Sequence, residues 1–468
     1  MKESRTPAKK RIDEDRSSSA KSSLYRSAFS LAWPAALEGA LLSIIGSVDT
    51  MMVQVVDPSA IAAVNLASQP RMILLILSQA LCVGVTALVA RRKGENDREG
   101  AGSVLSQSMV LMTDVSILVS ILGYFLAVPL VDLAGANTDT REMAADYLRV
   151  ISLGLLFNGW NLCLCAALRA VGNTRITMVT NVTANVVNVV LNWCLIGGNL
   201  GFPKLGVKGA ALATVIGTAV ACTVTFGVII RKKSYLKLRL KGLHFDRRTL
   251  NGLFRVGLSS AAESVCLRIG FFVNNRMIAD IGTDALTAYA IVQQVTSLSF
   301  VVGDGIATAG ATLVGQALGA ENKQRAKDTV KCCRVLSLFA SFALMGIIFL
   351  LRNDLAGLFT QDERIIAGAS LAFIVTVLGM PPQNARVVYS GCLRGAGDTR
   401  YVALCSLLSV SILRPALTWL FCFPLRDVLP GLQTPYTGPW IAFLLDAVVR
   451  QLLLFDRVRK GKFLNIRL

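Results

Sequence analysis

The sequence predicts an all-α membrane protein of twelve transmembrane helices, built as two six-helix repeats related by a pseudo-twofold axis along the membrane normal. Three observations predict this class. Of the 468 residues, 53% are hydrophobic and 16% are charged, whereas soluble domains carry about 25% charged residues. Apolar stretches of the roughly 20 residues that span a bilayer recur along the chain. The two halves of the chain also align at a constant offset of 225 residues.

Twelve apolar segments are separated by short polar loops. In the first half the predicted helices are 29–55, 60–90, 104–131, 147–168, 176–197 and 209–230. In the second half they are 253–279, 285–317, 331–351, 365–392, 401–424 and 439–456. The resulting divisions are an N-terminal cytoplasmic tail (1–28), an N-lobe (29–230), a basic linker (231–252), a C-lobe (253–456) and a C-terminal cytoplasmic tail (457–468). The charged, serine-rich N-terminal tail is expected to be disordered.

The two halves repeat each other in several separate places. The sequence LRAVGNTR at 168–175 returns as LRGAGDTR at 393–400, and Glu38 corresponds to Glu263. In the repeated octapeptide, glycine ends one helix and the next residue, Asn or Asp, can cap the following helix. Six helices per repeat is an even number, so both repeats enter the membrane from the same side. Parallel repeats of this kind place the substrate site between the halves.

The net charge of +19 follows the positive-inside rule rather than the pattern of a nucleic-acid-binding protein. Basic residues concentrate in the regions 91–98, 231–250, 323–327 and 457–467. Acidic residues mark the alternate loops, at 57, 132–146, 280–284 and 354–363. This alternation predicts that both termini lie in the cytoplasm.

The eleven cysteines and the single histidine argue against a metal site. Most cysteines lie inside apolar segments, where cysteine behaves as a small hydrophobe, and no CxxC pair occurs. The histidine, His244, lies in the basic linker, so no zinc site is predicted. Because the sequence also contains no ATP-binding motif, we expect no cofactor and a driving force from an H⁺ or Na⁺ gradient.

Ionisable residues inside apolar segments are candidates for function, since each costs about 2.5–3.5 kcal/mol at the centre of a membrane helix and usually faces a cavity. The first helix carries Glu38 and Asp49, which are three helical turns apart on one face. The seventh carries Glu263 and Arg268, and the eleventh carries Arg414. We predict that Asp49 couples transport to an ion and that the other four line the substrate cavity. The alternative is a buried ion pair or a helix-end position, which is favoured for Asp114, Asp304 and Asp446.

The fifth predicted helix carries an asparagine stripe. Four amides, spaced four, three and four residues apart, share one helical face: Asn181, Asn185, Asn188 and Asn192. Their counterparts in the second repeat are Ser406, Val410, Leu413 and Leu417, so the stripe belongs to one lobe. It predicts a polar cavity in the N-lobe. The alternative is hydrogen bonding between helices, worth about 0.6 kcal/mol per contact in membranes.

Around these residues the sequence resembles the multidrug and toxic compound extrusion (MATE) family. The first helix contains WPAALE at 33–38 and GSVDTMMV at 46–53, which is similar to the family's Pro-x-x-x-Glu and Val-Asp-Thr-x-Met-Val pattern. Further similar motifs are LVGQALGA at 313–320, GAALAT at 209–214 and the paired Leu-Arg-x-x-Gly-[Asn/Asp]-Thr loops. The resemblance covers essentially residues 25–455.

The resemblance implies a V-shaped fold in the cytoplasmic membrane and export of organic, often cationic, compounds against inward H⁺ or Na⁺ flow. It also implies that Asp49 acts in ion coupling together with the fifth helix, where Asn188 and Asn192 match the family's polar residues. The sequence departs from the family at Asn192, where many members carry an acid. It departs again at Ser259 and Tyr289, which replace a usual proline and histidine.

The function predicted from the sequence is therefore secondary active multidrug efflux by alternating access. The expected partners are small molecules, H⁺ or Na⁺ and the lipid bilayer, with no nucleic acid, and the expected state is a monomer. One alternative is a lipid-linked oligosaccharide flippase of the same superfamily, which would carry a strongly basic central cavity and additional helices. The alternative from another class is a polytopic membrane enzyme, which would need catalytic residues converging at one membrane face.

Overall fold

A computed structural model describes residues 7–54, 58–231, 234–238, 245–425, 428 and 434–466. Within these ranges, side chains 7–21, 46–51, 53–54, 58–59, 61 and 434 are outside the description. All the regular elements described are helical. Eleven of the described helices are long and apolar enough to cross a membrane, and one bent pair brings the number to twelve. The predicted all-α, twelve-span fold class is confirmed.

We number the spans α1 to α12 in chain order. The N-lobe comprises α1 (Pro7–Gln54), α2 (Pro58–Gly94), α3 (Arg98–Phe125), α4a (Thr138–Leu153), α4b (Leu155–Ala170), α5 (Thr174–Gly197) and α6 (Val207–Ile230). The C-lobe comprises α7 (Arg247–Ala279), α8 (Thr283–Gly319), α9 (Lys323–Leu350), α10 (Glu363–Ala396), α11 (Thr399–Cys422) and α12 (Thr434–Arg459). Short helices at Ala127–Leu133 and Arg352–Gly357 follow α3 and α9 at equivalent places in the two repeats.

The first helix begins earlier than the sequence predicted. It starts at Pro7 instead of residue 29, so the expectation of a disordered tail is wrong for the described residues of that segment. The tail contains Ala, Lys, Arg and Glu, which are good helix formers. A helix that the membrane segment has already nucleated can extend through them one residue at a time.

Two further spans depart from straight predicted helices. The fourth bends by 51° between α4a and α4b, at Gly154, where the absence of a side chain lowers helix stability. The eleventh contains a π-helical stretch, Leu407–Leu413, before Arg414 and Pro415. Proline removes one backbone donor and its ring collides with the preceding turn, so a locally widened helix accommodates it.

The two lobes approach each other most closely where α2 crosses α8, at the end of the molecule that carries the basic loops. A Cβ atom on Gly94 would lie 2.0 Å from the Gln316 carbonyl oxygen, and one on Gly319 would lie 2.0 Å from the Arg91 carbonyl oxygen. Gly94 and Gly319 are repeat partners, and so are Arg91 and Gln316. The same contact is therefore made twice, as a twofold axis requires, and only glycine permits so close an approach.

Apolar side chains form a core at each end of the N-lobe. Leu105 and Leu164 belong to the cluster at the basic end, whereas Leu148 and Ile151 belong to the cluster at the opposite end. The polar residues of α5 lie between these clusters. The packing therefore leaves the middle of the lobe for a cavity.

Candidate transport site

All four residues of the asparagine stripe line one cavity inside the N-lobe. This N-lobe cavity has a volume of about 580 Å³, within the range of roughly 300–1,000 Å³ typical of small-molecule sites. Asn188 and Asn192 are buried, with 6% and 1% of their surfaces exposed. Arg71 from α2 and Tyr147 from α4a lie on the cavity wall as well. One face of α5 thus presents amides to a space large enough for an organic molecule.

The stripe is also hydrogen-bonded to neighbouring helices. Asn181 donates from Nδ2 to Glu38 Oε1 at 2.6 Å, and Asn161 donates from Nδ2 to Asn181 Oδ1 at 3.2 Å. Thr225 in turn donates to Asn161 Oδ1 at 3.1 Å. These bonds link α1, α5, α4b and α6. The two alternatives considered for the stripe, a cavity lining and an interhelical contact, are therefore combined in the same side chains.

A second hydrogen-bonded group lies further along α5. Asn192 donates from Nδ2 to Asn188 Oδ1 at 3.3 Å, and Asn188 donates from Nδ2 to Thr214 Oγ1 on α6, also at 3.3 Å. Amide and hydroxyl groups can both donate and accept. The amide and hydroxyl oxygens in this part of the N-lobe cavity can therefore solvate a cation or a protonated group.

A second cavity, of about 360 Å³, lies between the lobes. Its walls come from α1, α2, α4b, α8 and α10, and many of them are glycine, alanine or valine residues. The charged groups of this central cavity are Glu38, Arg169, Asp304 and Arg394. Glu38 and Arg169 line the N-lobe cavity too, so this pair stands at the junction of the two cavities.

The same carboxylate–arginine pair occurs in each lobe. Arg169 Nη1 lies 3.4 Å from Glu38 Oε1, and Arg394 Nη2 lies 2.7 Å from Glu263 Oε1. The partners are 131 residues apart in both lobes. Ser406, the counterpart of Asn181, donates to Glu263 at 2.9 Å. The duplicated sequence has therefore preserved a duplicated contact between the first and fourth helices of each repeat.

The C-lobe surrounds its carboxylate with more charge than the N-lobe does. Arg450 Nη2 is a second cation near Glu263 Oε1, at 3.5 Å, and Arg450 is only 1% exposed. Close by, Arg414 donates from Nε to Asp446 Oδ2 at 3.0 Å, and Ser409 also donates to Asp446. Arg386 lies close enough to interact electrostatically with Asp446, Arg414 and Arg450. We call these residues together the C-lobe charge cluster: Glu263, Arg386, Arg394, Arg414, Asp446 and Arg450.

The remaining predicted site residues lie in different surroundings. Asp49 belongs to α1, but its side chain is outside the described part of the structure. Glu263 and Arg414 are buried in the C-lobe charge cluster and are not among the residues that line the two cavities. Arg268 is exposed, with Nη1 at 3.2 Å from Met72 Sδ of the other lobe. Glu38 and the asparagines are the predicted residues that the fold brings together.

Sequence reasoning did not single out the arginine partners of the two glutamates. The signal was present, since Arg169 and Arg394 occupy the same place in the repeated Leu-Arg-x-x-Gly-[Asn/Asp]-Thr motif. They were treated as part of a loop, whereas they lie in the last turns of α4b and α10. Among the described residues, no group of three or more His, Cys, Asp or Glu side chains could hold a metal ion.

Two parallel six-helix repeats enclosing polar cavities define a two-lobed membrane transporter. The model of the MatE family matches residues 34–194 and 259–420, and the two matches begin at repeat-equivalent positions. The chain therefore belongs to the MatE family, the MATE family that the sequence resembles.

Similar proteins match over nearly the whole chain. The uncharacterized transporter YisQ of Bacillus subtilis is 29% identical over 92% of this chain and 94% of its own. A probable multidrug resistance protein NorM of Thermotoga maritima is 27% identical over 92% of both chains. An outward-facing MATE family transporter of the MOP superfamily superposes with a TM-score of 0.86 at 22% identity, covering 94% of this chain and 97% of the other. These likenesses confirm the two-repeat fold.

Proposed function

We propose that this protein exports organic, preferentially cationic, compounds across the cell membrane in exchange for H⁺ or Na⁺. The observation that carries the proposal is the N-lobe cavity, which joins a drug-sized space to Glu38 and an asparagine-lined interior. Relatives bear the name of probable multidrug resistance proteins, which supports the substrate class. The positive-inside pattern supports a topology in which the basic end and both termini face the cytoplasm.

The proposed coupling residues are Asp49, Asn188 and Asn192. Asn188 and Asn192 lie on α5 within hydrogen-bond distance of each other, and a carboxylate together with amide oxygens is a suitable ligand set for Na⁺ or a proton. Since Asn192 stands where many family members carry an acid, Asp49 would act with neutral partners. Coupling by these groups requires no cofactor, and one chain contains both lobes, which supports a monomer.

The proposed substrate residues are Glu38, Asn181 and Asn185 in the N-lobe cavity. Glu38 receives one long contact from Arg169 at 3.4 Å and shorter bonds from neutral donors, so a cationic substrate can approach a carboxylate that is only loosely paired. Of the three C-lobe residues predicted from the sequence, Arg268, exposed beside Met72 of the other lobe, is proposed to contact substrate between the lobes. Glu263 and Arg414 are held in the C-lobe charge cluster and are not part of the proposed substrate set. Weaker retention of a cationic dye by Glu38→Gln, with a neutral compound unaffected, is the expected sign of charge recognition.

The test is transport in proteoliposomes with the pH gradient and the Na⁺ gradient imposed separately. One of the two gradients should drive dye movement in the unaltered protein, and Asp49→Asn should abolish that movement while the protein remains folded. Gradient-driven transport at the normal rate by Asp49→Asn would contradict the assignment of Asp49. Movement that needs neither gradient would contradict antiport itself.

A further inference from the structure

An apolar groove lies on the outer surface of the N-lobe, away from both polar cavities. Its volume is about 310 Å³, and its walls come from α3, α4b and α6 together with the linker residue Leu238. We call it the linker groove. Its lining is apolar or aromatic for the most part and includes Met109, Phe157, Trp160, Thr223 and Phe226.

The groove opens toward the lipid. Phe157 is 37% exposed, and Thr223 is exposed on α6, within segments that span the membrane. The floor offers little to a polar ligand, because the Trp160 indole N–H already donates to Thr113 Oγ1 at 2.9 Å. Such a surface suits a hydrocarbon chain.

The groove lies within reach of a lipid in the leaflet at the basic end. Leu238 lines it at that end, and Met109 and Thr113 line it from α3, eleven and fifteen residues beyond Arg98, the first residue of the helix. At 1.5 Å per residue these two positions are about 16 and 22 Å from the start of α3, and half of the roughly 30 Å hydrocarbon core is about 15 Å. The groove therefore lies near the middle of the bilayer, where the acyl chain of a lipid in the basic-side leaflet can reach it.

The end of the groove at the membrane surface is basic. Lys237 precedes Leu238, and Arg231 directly follows α6. Arg231 and Lys237 are both exposed. The linker is fastened to α3, since Arg98 Nε donates to the Tyr235 carbonyl oxygen at 2.7 Å. Residues 231–250 contain eight Lys or Arg against one acid. Each basic residue near a membrane surface attracts anionic lipid with about 1 kcal/mol, or about a fivefold preference.

We propose that the linker groove binds an anionic phospholipid, with an acyl chain against Trp160 and Phe226 and the phosphate at Arg231 and Lys237. The site is confined to the N-lobe. The C-lobe counterparts of Met109, Trp160 and Phe226 are a charged, a small and a polar residue: Arg334, Ala385 and Gln451. The proposal is independent of the transported substrate and of the coupling ion.

Fluorescence quenching in nanodiscs tests the proposal. The fluorescence of Trp160 is obtained as the difference in tryptophan fluorescence between the unaltered protein and Trp160→Phe. The quenchers are phosphatidylglycerol and phosphatidylcholine that carry bromine on identical acyl chains. Half-maximal quenching of Trp160 should need a severalfold lower mole fraction of phosphatidylglycerol. Trp193, which is 50% exposed near the opposite end of its lobe, should be quenched equally by both lipids. Equal quenching of Trp160 by both lipids would overturn the proposal, because it identifies ordinary boundary lipid.

Two pairs of variants separate the contributions of the headgroup and the acyl chain. The double variant Arg231→Gln/Lys237→Gln should lose most of the severalfold preference, because it removes both charges assigned to the phosphate. Thr223→Phe fills the groove and should abolish the preference, whereas Val224→Phe, on the neighbouring lipid-facing position, should keep it. A preference that survives Thr223→Phe would overturn the groove as the binding site and leave only attraction to the basic surface.

Discussion

The two lobes share one scaffold but use its interior differently. In the N-lobe, Asn161, Ala221 and Thr225 surround or support a cavity of about 580 Å³. Their repeat counterparts in the C-lobe are Arg386, Asp446 and Arg450, and these long charged side chains belong to the C-lobe charge cluster. In the N-lobe, small uncharged residues leave a cavity. In the C-lobe, charged residues that pair with one another fill the equivalent positions.

The electrostatic consequence differs between the lobes as well. The C-lobe charge cluster contains two carboxylates and four guanidinium groups, and the charges of Arg386, Arg414 and Arg450 lie close enough to interact. An added cation is therefore repelled there. The N-lobe amides carry no net charge and can bind a cation through oxygen. We infer that ion coupling belongs to the N-lobe and that the C-lobe cluster chiefly holds its helices together.

The largest effect is expected from Asp446→Ala. This change leaves Arg414, only 4% exposed, without its carboxylate, and an unpaired buried charge costs about 3–5 kcal/mol. Reversible unfolding in mixed detergent micelles measures the loss. The matched control is Arg414→Val/Asp446→Ala, which copies the N-lobe residues Val189 and Ala221. It should recover most of the stability, and a double variant as unstable as Asp446→Ala would contradict the ion-pair explanation.

Glu38 and Glu263 occupy equivalent positions in the two repeats, so their variants compare the two lobes directly. Glu263→Gln should lower the free energy of unfolding by about 2 kcal/mol more than Glu38→Gln. Both glutamates are buried, but Glu263 has two arginine partners, of which Arg450 is itself buried, whereas Glu38 has one, and removing one partner of a buried ion pair is strongly destabilising. Unfolding of the two single variants under identical conditions gives the difference. A larger loss of unfolding free energy for Glu38→Gln would contradict the expectation that the Glu263 ion pairs stabilise the protein more than the Glu38 pair.

Thiol labelling compares equivalent positions of α5 and α11. In a background without native cysteines, Asn185→Cys should react with a membrane-impermeant reagent at least tenfold faster than Val410→Cys, since Asn185 lines the N-lobe cavity and Val410 is 1% exposed. Added substrate should slow only the Asn185→Cys reaction. Equal rates at the two positions would mean that the cavity is closed to solvent in the membrane.

The smallest expected effect concerns the start of the C-lobe. Asp246 caps α7 by accepting from the backbone N–H groups of Arg248 and Thr249, and Asp246→Ala should cost about 1 kcal/mol. The hydrogen bond from Arg248 N–H, followed by that from the Thr249 side chain, holds the pKa of Asp246 below its usual range. This contribution is present at neutral pH and is lost as the pH falls below about 4. Unfolding of the variant and the unaltered protein at pH 7 and pH 3 checks both statements.

The helices could be predicted because hydrocarbon thickness fixes their length and the repeat fixes their number. The bend at Gly154 and the π-helical turn before Pro415 were not predicted from the sequence, because each depends on how a local irregularity of the helix packs against neighbouring helices. The start of α1 at Pro7 was not predicted, because the charge and serine content of the segment were interpreted as signs of disorder.

The part of the site formed by regularly spaced polar residues on one helix could be predicted from the sequence. The ion pairs formed between residues of different helices could not. The asparagine stripe follows from its spacing alone. Pairing of Glu38 with Arg169 requires the arrangement of two helices, and pairing of Glu263 with Arg394 and Arg450 requires that of three. The buried position of Arg414 follows from Asp446 on another helix, which no local pattern reveals.

The central claim, that coupling belongs to the N-lobe, is tested most directly by exchanging residues between the lobes. Asn188→Leu/Asn192→Leu gives α5 the C-lobe residues found at 413 and 417, and Arg414→Val/Asp446→Ala gives the C-lobe the N-lobe residues. The measurement is initial ion-gradient-driven transport in proteoliposomes at equal amounts of folded protein. We predict at least a tenfold loss in the asparagine variant and a rate within about twofold of normal in the C-lobe variant, because removing both partners leaves neither of these two buried charges unpaired. The opposite result, normal coupling without the asparagines and its loss in the C-lobe variant, would contradict the claim.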